Sequence, residues 1–181
     1  MMTLGPRPTS HEVGRQEGGP TPIFCALLLF LVLPAIASTA PKVDRVLILK
    51  AKHRLQLLSG SAIVKSYSVA LGSGGLAPKR SEGDHRTPEG LYHIDSRNPA
   101  SRFHLALHIS YPTEEDKERA RQLGVRPGNN IMIHGLGKEF KSLGKKHYLS
   151  NWTDGCIAVT DSEIEEIWRL VPDGTPVEIR P

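Results

Sequence analysis

The stretch Ile23–Lys42, IFCALLLFLVLPAIASTAPK, is apolar for most of its length and carries no charge before Lys42. It sets the limits of the folded part, because such a run either leaves as a cleaved leader or stays in a membrane. It closes on small residues that offer an A-x-A step at Ala35–Ala37 and a later stop at Ala40, the layout of a secretory signal peptide. At about 18 apolar residues it also reaches the lower limit for spanning a bilayer, so an uncleaved anchor is the second reading. The small-residue end fits a processing site better than a stop-transfer flank. Upstream, Arg7 and Arg15 are balanced by Glu12 and Glu17, an unusual opening that a start codon assigned too far upstream would explain. Cys25 follows Pro22-Ile23-Phe24, which is not a lipoprotein-type context, and so belongs with the discarded segment. Residues 1–40 are therefore expected to be an extension plus leader or anchor, and residues 41–181 one exported domain large enough for a core.

The formal charge is +4, mild and spread along the chain. It suits work near an anionic polymer. Basic runs with interleaved aromatics are missing, which argues against nucleic acid as a partner. The chain has no internal repeat. Arg45–Lys50 and His53–Leu58 read as strands, Ser59-Gly60 as a turn, and Ala62–Leu71 as the return strand of a hairpin. Gly72–Gly90, GSGGLAPKRSEGDHRTPEG, is long for a connection, and such loops are usually functional or disordered. Its glycines precede neither Gly-Lys-Ser/Thr nor a helix, so they make no phosphate cradle. Leu91–Asp95 and His104–Ser110 read as further strands. Thr113–Asp116 resembles a capping box opening a charged surface helix that stops at Gly124. A second helix starts at Thr160 with Glu163 three residues on, and carries Ile164, Ile167, Trp168 and Val171 on one face. Pro172-Asp173-Gly174 ends it before a short strand, Pro176–Ile179. The class is mainly β with a few helices.

Outside the leader the chain has one cysteine, Cys156, in NWTDGCIAVT (Asn151–Thr160). A leftover cysteine in an exported protein is a reactive thiol or an intermolecular link; its plain alternative is a small apolar core residue. Gly155 has no Cβ and permits close approach. Ile157-Ala158-Val159 looks like a buried strand, which puts the sulfur where a loop enters a sheet and main-chain N–H groups can face an oxyanion. A thiol attacks as thiolate, usually with an imidazole beside it. Among eight histidines, His134 ends the apolar strand NIMIHGLG next to a glycine. His147 lies in the polar loop GKKHYLS, and His104 and His108 would share a strand face. The residues alone leave His134 as one of several candidate bases. His85, His93, His104 and His108 lack an H-E-x-x-H or a close Cys/His cluster, so no metal is expected.

Taken together, His134-Gly135, then Thr153-Asp154-Gly155-Cys156, preceded by Thr87-Pro88-Glu89-Gly90 and Tyr92, resemble the signature of the L,D-transpeptidase catalytic (YkuD-type) family. The resemblance spans essentially the whole of residues 41–181. It implies a β-sandwich-type catalytic domain acting on peptidoglycan stem peptides without metal or organic cofactor. Cys156 would form a thioester at an L-centre joined to a D-residue, and His134 would take the thiol proton, oriented by the Gly135 carbonyl. Thr153, Asp154, Gly155 and Ile157 would frame the oxyanion and substrate. An amine from a neighbouring stem peptide or an envelope protein would resolve the thioester. Water in its place would make a hydrolase of cross-links or protein–peptidoglycan links, and a wall-binding module without turnover is a further alternative. Many family members carry Arg or Asn two residues after the cysteine, where this chain has Ala158. Arg80, Arg86 and Lys79 are expected to supply the missing substrate contact.

Overall fold

Period-two burial builds the first hairpins. In the computed structural model, which describes residues 42–181, β1 (Arg45–Leu49) buries Val46 and Ile48 completely while its other positions are half-buried. β2 (Arg54–Ser59) buries Leu55 and Leu57 and pairs antiparallel with β1. β3 (Ala62–Ser68) buries only Tyr67 among its residues, as expected of an edge strand. The sheet continues through β4 (Gly90–Ser101), β5 (His104–Ile109), β6 (Met132–His134), β7 (Ile157–Ala158) and β8 (Pro176–Arg180). Its order is β3-β2-β1-β8-β4-β5-β6-β7, eight strands in all. β1–β8 and β6–β7 are the parallel pairs. The long β4 couples the two halves: Gly90–His93 pair with β8, and from Ile94 onward the strand pairs with β5 through two register shifts.

The return strand stops at Ser68, short of the expected Leu71. Beyond it the chain crosses to the other end of the sheet, where Ala70 bridges Ala158 and Gly72 bridges Thr153. Val69, Ala70 and Leu71 are buried there, so the apolar run that suggested a longer strand packs over the Cys156 region instead.

Both capped helices form where their signals lie. α1 (Glu114–Gln122) opens on a Thr113/Asp116 capping box and buries only Asp116 and Ala120. A later helix, Asp161–Leu170, opens on Thr160 and Glu163 and buries Ile164 and Ile167, with Val171 just beyond it. Each such apolar side chain contributes roughly 1.5–3 kcal/mol. Arg97 of β4 closes its C-terminus by donating to the Trp168 carbonyl (2.8 Å) and the Val171 carbonyl, while pairing with Asp173 and lying 4.8 Å over the Trp168 ring.

The stretch GKKHYLS (Gly144–Ser150), which reads in sequence as a polar loop, lies mostly in a 3₁₀ segment (Lys141–Leu149) broken at Gly144, after a short helix α2 (Gly137–Phe140); the helix Asp161–Leu170 is therefore α3. Short 3₁₀ turns have little period to detect, and the burial of His147, only 2 % exposed, has no local signature.

The Gly72–Gly90 loop is pinned rather than free. Asp84 accepts from the main-chain N–H groups of Arg80 (2.7 Å), Ser81 (3.0 Å) and Arg86 (3.1 Å) and from the Lys79 ammonium (2.8 Å). Burial alone would raise its pKa, but these donors hold it down at about 2. At the base of the loop, fully buried Lys50 donates to the carbonyls of Ala77 (3.2 Å) and Thr87 (2.9 Å) and to Glu89 (2.8 Å). Burial lowers the pKa of this ammonium, and Glu89 works against that shift. The expected leader and Cys25 lie outside the described residues. Among the described residues no helix is long and apolar enough to cross a membrane. Removing the Lys50 ammonium leaves Glu89 and two carbonyls without their donor, so Lys50→Ala is expected to cost about 3–5 kcal/mol of stability in urea unfolding.

Candidate active site

The parallel pair β6–β7 sets Ile133 opposite Ile157 and His134 opposite Ala158. The residue at the end of one strand and the one just before the other thereby meet at a single edge. His134 and Cys156 both line a pocket of about 200 Å³, together with Arg102, Phe103, Phe140, Trp152, Thr153 and Asp154.

His134 is 1 % exposed. Its Nδ1 lies 2.7 Å from the Gly135 carbonyl. A carbonyl only accepts, so Nδ1 carries the proton and Nε2 keeps its lone pair. Phe103 stacks on the imidazole at 4.3 Å, and Trp152 meets it edge-on at 5.9 Å. Burial pushes the imidazole pKa down to about 4; the Gly135 hydrogen bond opposes this, while the positive charge of Arg102 and His147 adds to it.

Half-buried Cys156 donates from Sγ to the Asn130 carbonyl at 3.5 Å. Burial raises the thiol pKa, the Met132 N–H counteracts, Asp154 raises it further and Lys79 lowers it. Burial thus disfavours the charged form of both groups, the thiolate and the imidazolium.

The turn before the sulfur is closed by Thr153. Its hydroxyl donates to the Cys156 carbonyl (2.8 Å) and accepts from the Gly155 N–H (3.2 Å). Gly155 has φ +121°, and a Cβ there would lie 2.6 Å from the Arg86 carbonyl. The close approach at this glycine is therefore made by the Gly72–Gly90 loop. Asp154 is largely exposed and contacts His85 Nδ1 at 2.8 Å. Ile157 is wholly buried in β7.

A second wedge holds the opposite wall. Gly137 has φ +62°, and a Cβ there would sit 2.2 Å from the Arg102 carbonyl. Asp161 of α3 accepts from the N–H groups of Leu136 (2.8 Å) and Gly137 (3.0 Å). The segment after His134 is thus pressed onto the β4–β5 turn at Arg102 and Phe103.

A family model described as the L,D-transpeptidase catalytic domain, YkuD, matches residues 43–179. The chain belongs to this family. It is 32% identical over 111 residues to "Putative L,D-transpeptidase YafK" of Escherichia coli K12, covering 60% of this chain and 37% of that protein. Among solved structures it resembles the helical cell shape determining protein Pgp2 of Campylobacter jejuni, with TM-score 0.54 and 24% identity over 76% of this chain and 47% of that one. Bd1075 of Bdellovibrio bacteriovorus gives TM-score 0.55 and 21% identity over 78% and 49%. These two likenesses establish the fold. The chain spans little more than a third of the curated relative and about half of the solved chains.

Within this YkuD domain the two strand histidines are engaged elsewhere: His104 with Glu165 (2.7 Å) and His108 with Asp95 (2.6 Å). Buried His147 is not part of the pocket wall. The expected basic residues are also placed differently. Lys79 is spent on Asp84, and Arg86 donates from Nε to the Gly74 carbonyl (3.1 Å). Arg80 lines a separate depression with Glu89 and Arg119. The cation in the pocket wall is Arg102, which no motif marks; with Phe103, Phe140 and Trp152 it reaches the site through tertiary packing alone. Among the described residues no group of three or more His, Cys, Asp or Glu converges as a metal site.

A buried imidazole with pKa about 4, against 6.5 ordinarily, binds its proton less readily folded than unfolded. Its contribution is complete above pH 6.5 and fades as pH falls toward 4, for a loss on the order of 3 kcal/mol. Urea unfolding from pH 7 to 4 is expected to lose that much more stability in the wild type than in His134→Gln; equal slopes would contradict the burial argument.

Proposed function

We propose that the protein is an exported, cysteine-dependent L,D-transpeptidase acting on peptidoglycan stem peptides in cell-wall cross-linking or modification. One observation carries this reading: His134, its Nδ1 proton committed to Gly135, shares an aromatic-walled pocket with Cys156. Residues 1–40 act as leader or anchor and residues 41–181 as the catalytic domain.

The reaction begins from the neutral pair. A donor peptide seats its scissile carbonyl over Sγ, and the thiol leaves the Asn130 carbonyl for the imidazole. Sγ attacks the carbonyl carbon as its proton passes to Nε2 of His134. The tetrahedral oxyanion is met by main-chain N–H at the Gly155–Cys156 turn. Because the Gly155 N–H already serves Thr153, that task falls to Cys156 itself. The imidazolium then protonates the departing D-residue amine, the C–N bond breaks, and a thioester remains. An acceptor amine attacks the thioester, gives its proton to His134 and leaves as the new amide, with the thiol restored. The aromatic wall keeps the imidazole buried.

Muropeptides bearing tetrapeptides or linked protein, incubated with the purified protein and read by mass spectrometry, test this directly. Cross-linked dimers or exchange of the terminal D-residue are expected. Loss of linked protein or cross-links without dimers would make the protein a hydrolase. Cys156→Ser is expected to abolish turnover, and His134→Gln to lower it by about 10²–10⁴-fold; retained turnover in Cys156→Ser would remove the nucleophile assignment.

A further inference from the structure

Ala158 is completely buried and exchanges main-chain hydrogen bonds with Ala70, at 2.9 Å and 3.1 Å. Ala158 is also absent from the wall of the pocket that holds Cys156 and His134. The cation has to come from elsewhere in the fold. We infer that Arg102, in the β4–β5 turn, binds the carboxylate of the D-residue at the scissile bond and so orients the substrate over Cys156. This assignment rests on the stem-peptide reading given above.

Three features place Arg102 in that role. First, it lines the same pocket as Cys156 and His134. Its guanidinium lies 4.5 Å over the Phe103 ring, and that ring stacks on His134. Stacking holds the plane while leaving its N–H edges open, the geometry a bidentate carboxylate needs.

Second, the guanidinium has no ion-pair or hydrogen-bond partner among the described residues, whereas Lys79, Arg97 and Arg119 are each bound to a carboxylate. Its charge is felt at His134, whose proton affinity it lowers.

Third, its backbone is fixed: the glycine wedge at 137 leaves the Arg102 carbonyl no room to retreat. Beyond Arg102 the surface opens into a depression of about 650 Å³ bordered by Lys138 and Lys141 and also by Glu139 and Asp161, the latter already accepting from the Leu136 and Gly137 N–H groups. Across the pocket stands the carboxylate of Asp154. Within the pocket itself Arg102 and Asp154 thus carry opposite charge. A substrate carboxylate is drawn to the β4–β5 side and an ammonium to the Thr153–Asp154 side, which gives a peptide one preferred direction across the thiol.

Binding, free of turnover, tests this. The full chain with Cys156→Ala is titrated calorimetrically with a tetrapeptide ending in a free D-alanine carboxylate and with its C-terminal amide. The acid is expected to bind at least tenfold more tightly than the amide. Adding Arg102→Met should erase that preference while leaving the amide affinity unchanged, and Arg102→Lys should keep part of it. Arg80→Met, altering a cation in a separate depression, should leave the ratio intact. Equal binding of acid and amide, no binding of either, a preference that survives Arg102→Met, or one lost in Arg80→Met would each overturn the inference. The muropeptide assay stays separate. Turnover without an Arg102-dependent preference sinks only this assignment, and a preference without turnover sinks only the reaction proposed above.

Discussion

The parallel pairing of β6 with β7 is the constraint on which the site depends. Two very short strands are held together by the rest of the sheet, with Val159 N–H donating to the His134 carbonyl at 2.9 Å. That single register sets His134 opposite Ala158, two residues beyond Cys156 and on the same face of the sheet. Everything around it protects the alignment. The crossing segment Val69–Gly72 covers β7, the Asp84-centred loop presses on Gly155, and α3 holds the segment after His134 through Asp161. His134 and Cys156 therefore sit at one sheet edge whose geometry is set by elements remote in sequence.

Burial has a second consequence at that edge. It moves both reacting groups toward neutrality, the imidazole down and the thiol up. A resting ion pair would hold a standing thiolate, the form of cysteine that is most readily oxidised; a neutral pair does not. The aromatic wall of Phe103, Phe140 and Trp152 supplies that low-polarity setting.

Much of the fold could be read from residues because its signals are local. The hairpins show period-two burial, both long helices carry capping boxes, and the apolar face of α3 has the right spacing. The pairing of His134 with Cys156 came from a family resemblance rather than from spacing, since eight histidines offered several partners. What stayed hidden depends on tertiary contact. The Gly137–Ser150 stretch has too little periodicity to announce its short helices. The basic residue of the pocket lies in a hairpin turn with nothing local to mark it, while the basic loop that drew attention uses Lys79 to neutralise its own Asp84 and Arg86 to brace its own backbone. Composition reports how many charges a loop holds, not which of them are already satisfied.

β8 follows every other strand in the chain, yet it lies between β1 and β4 in the middle of the sheet. A polypeptide emerging N-terminus first can zip its opening hairpins at once, but its two half-sheets stay apart until Pro176–Arg180 slots between them. The gap it closes spans well over a hundred residues on the β1 side, the kind of non-local closure that slows folding. Such an arrangement keeps the chain loose until it is nearly complete, so the half of the sheet that carries His134 and Cys156 is joined to the opening hairpins only at the last step.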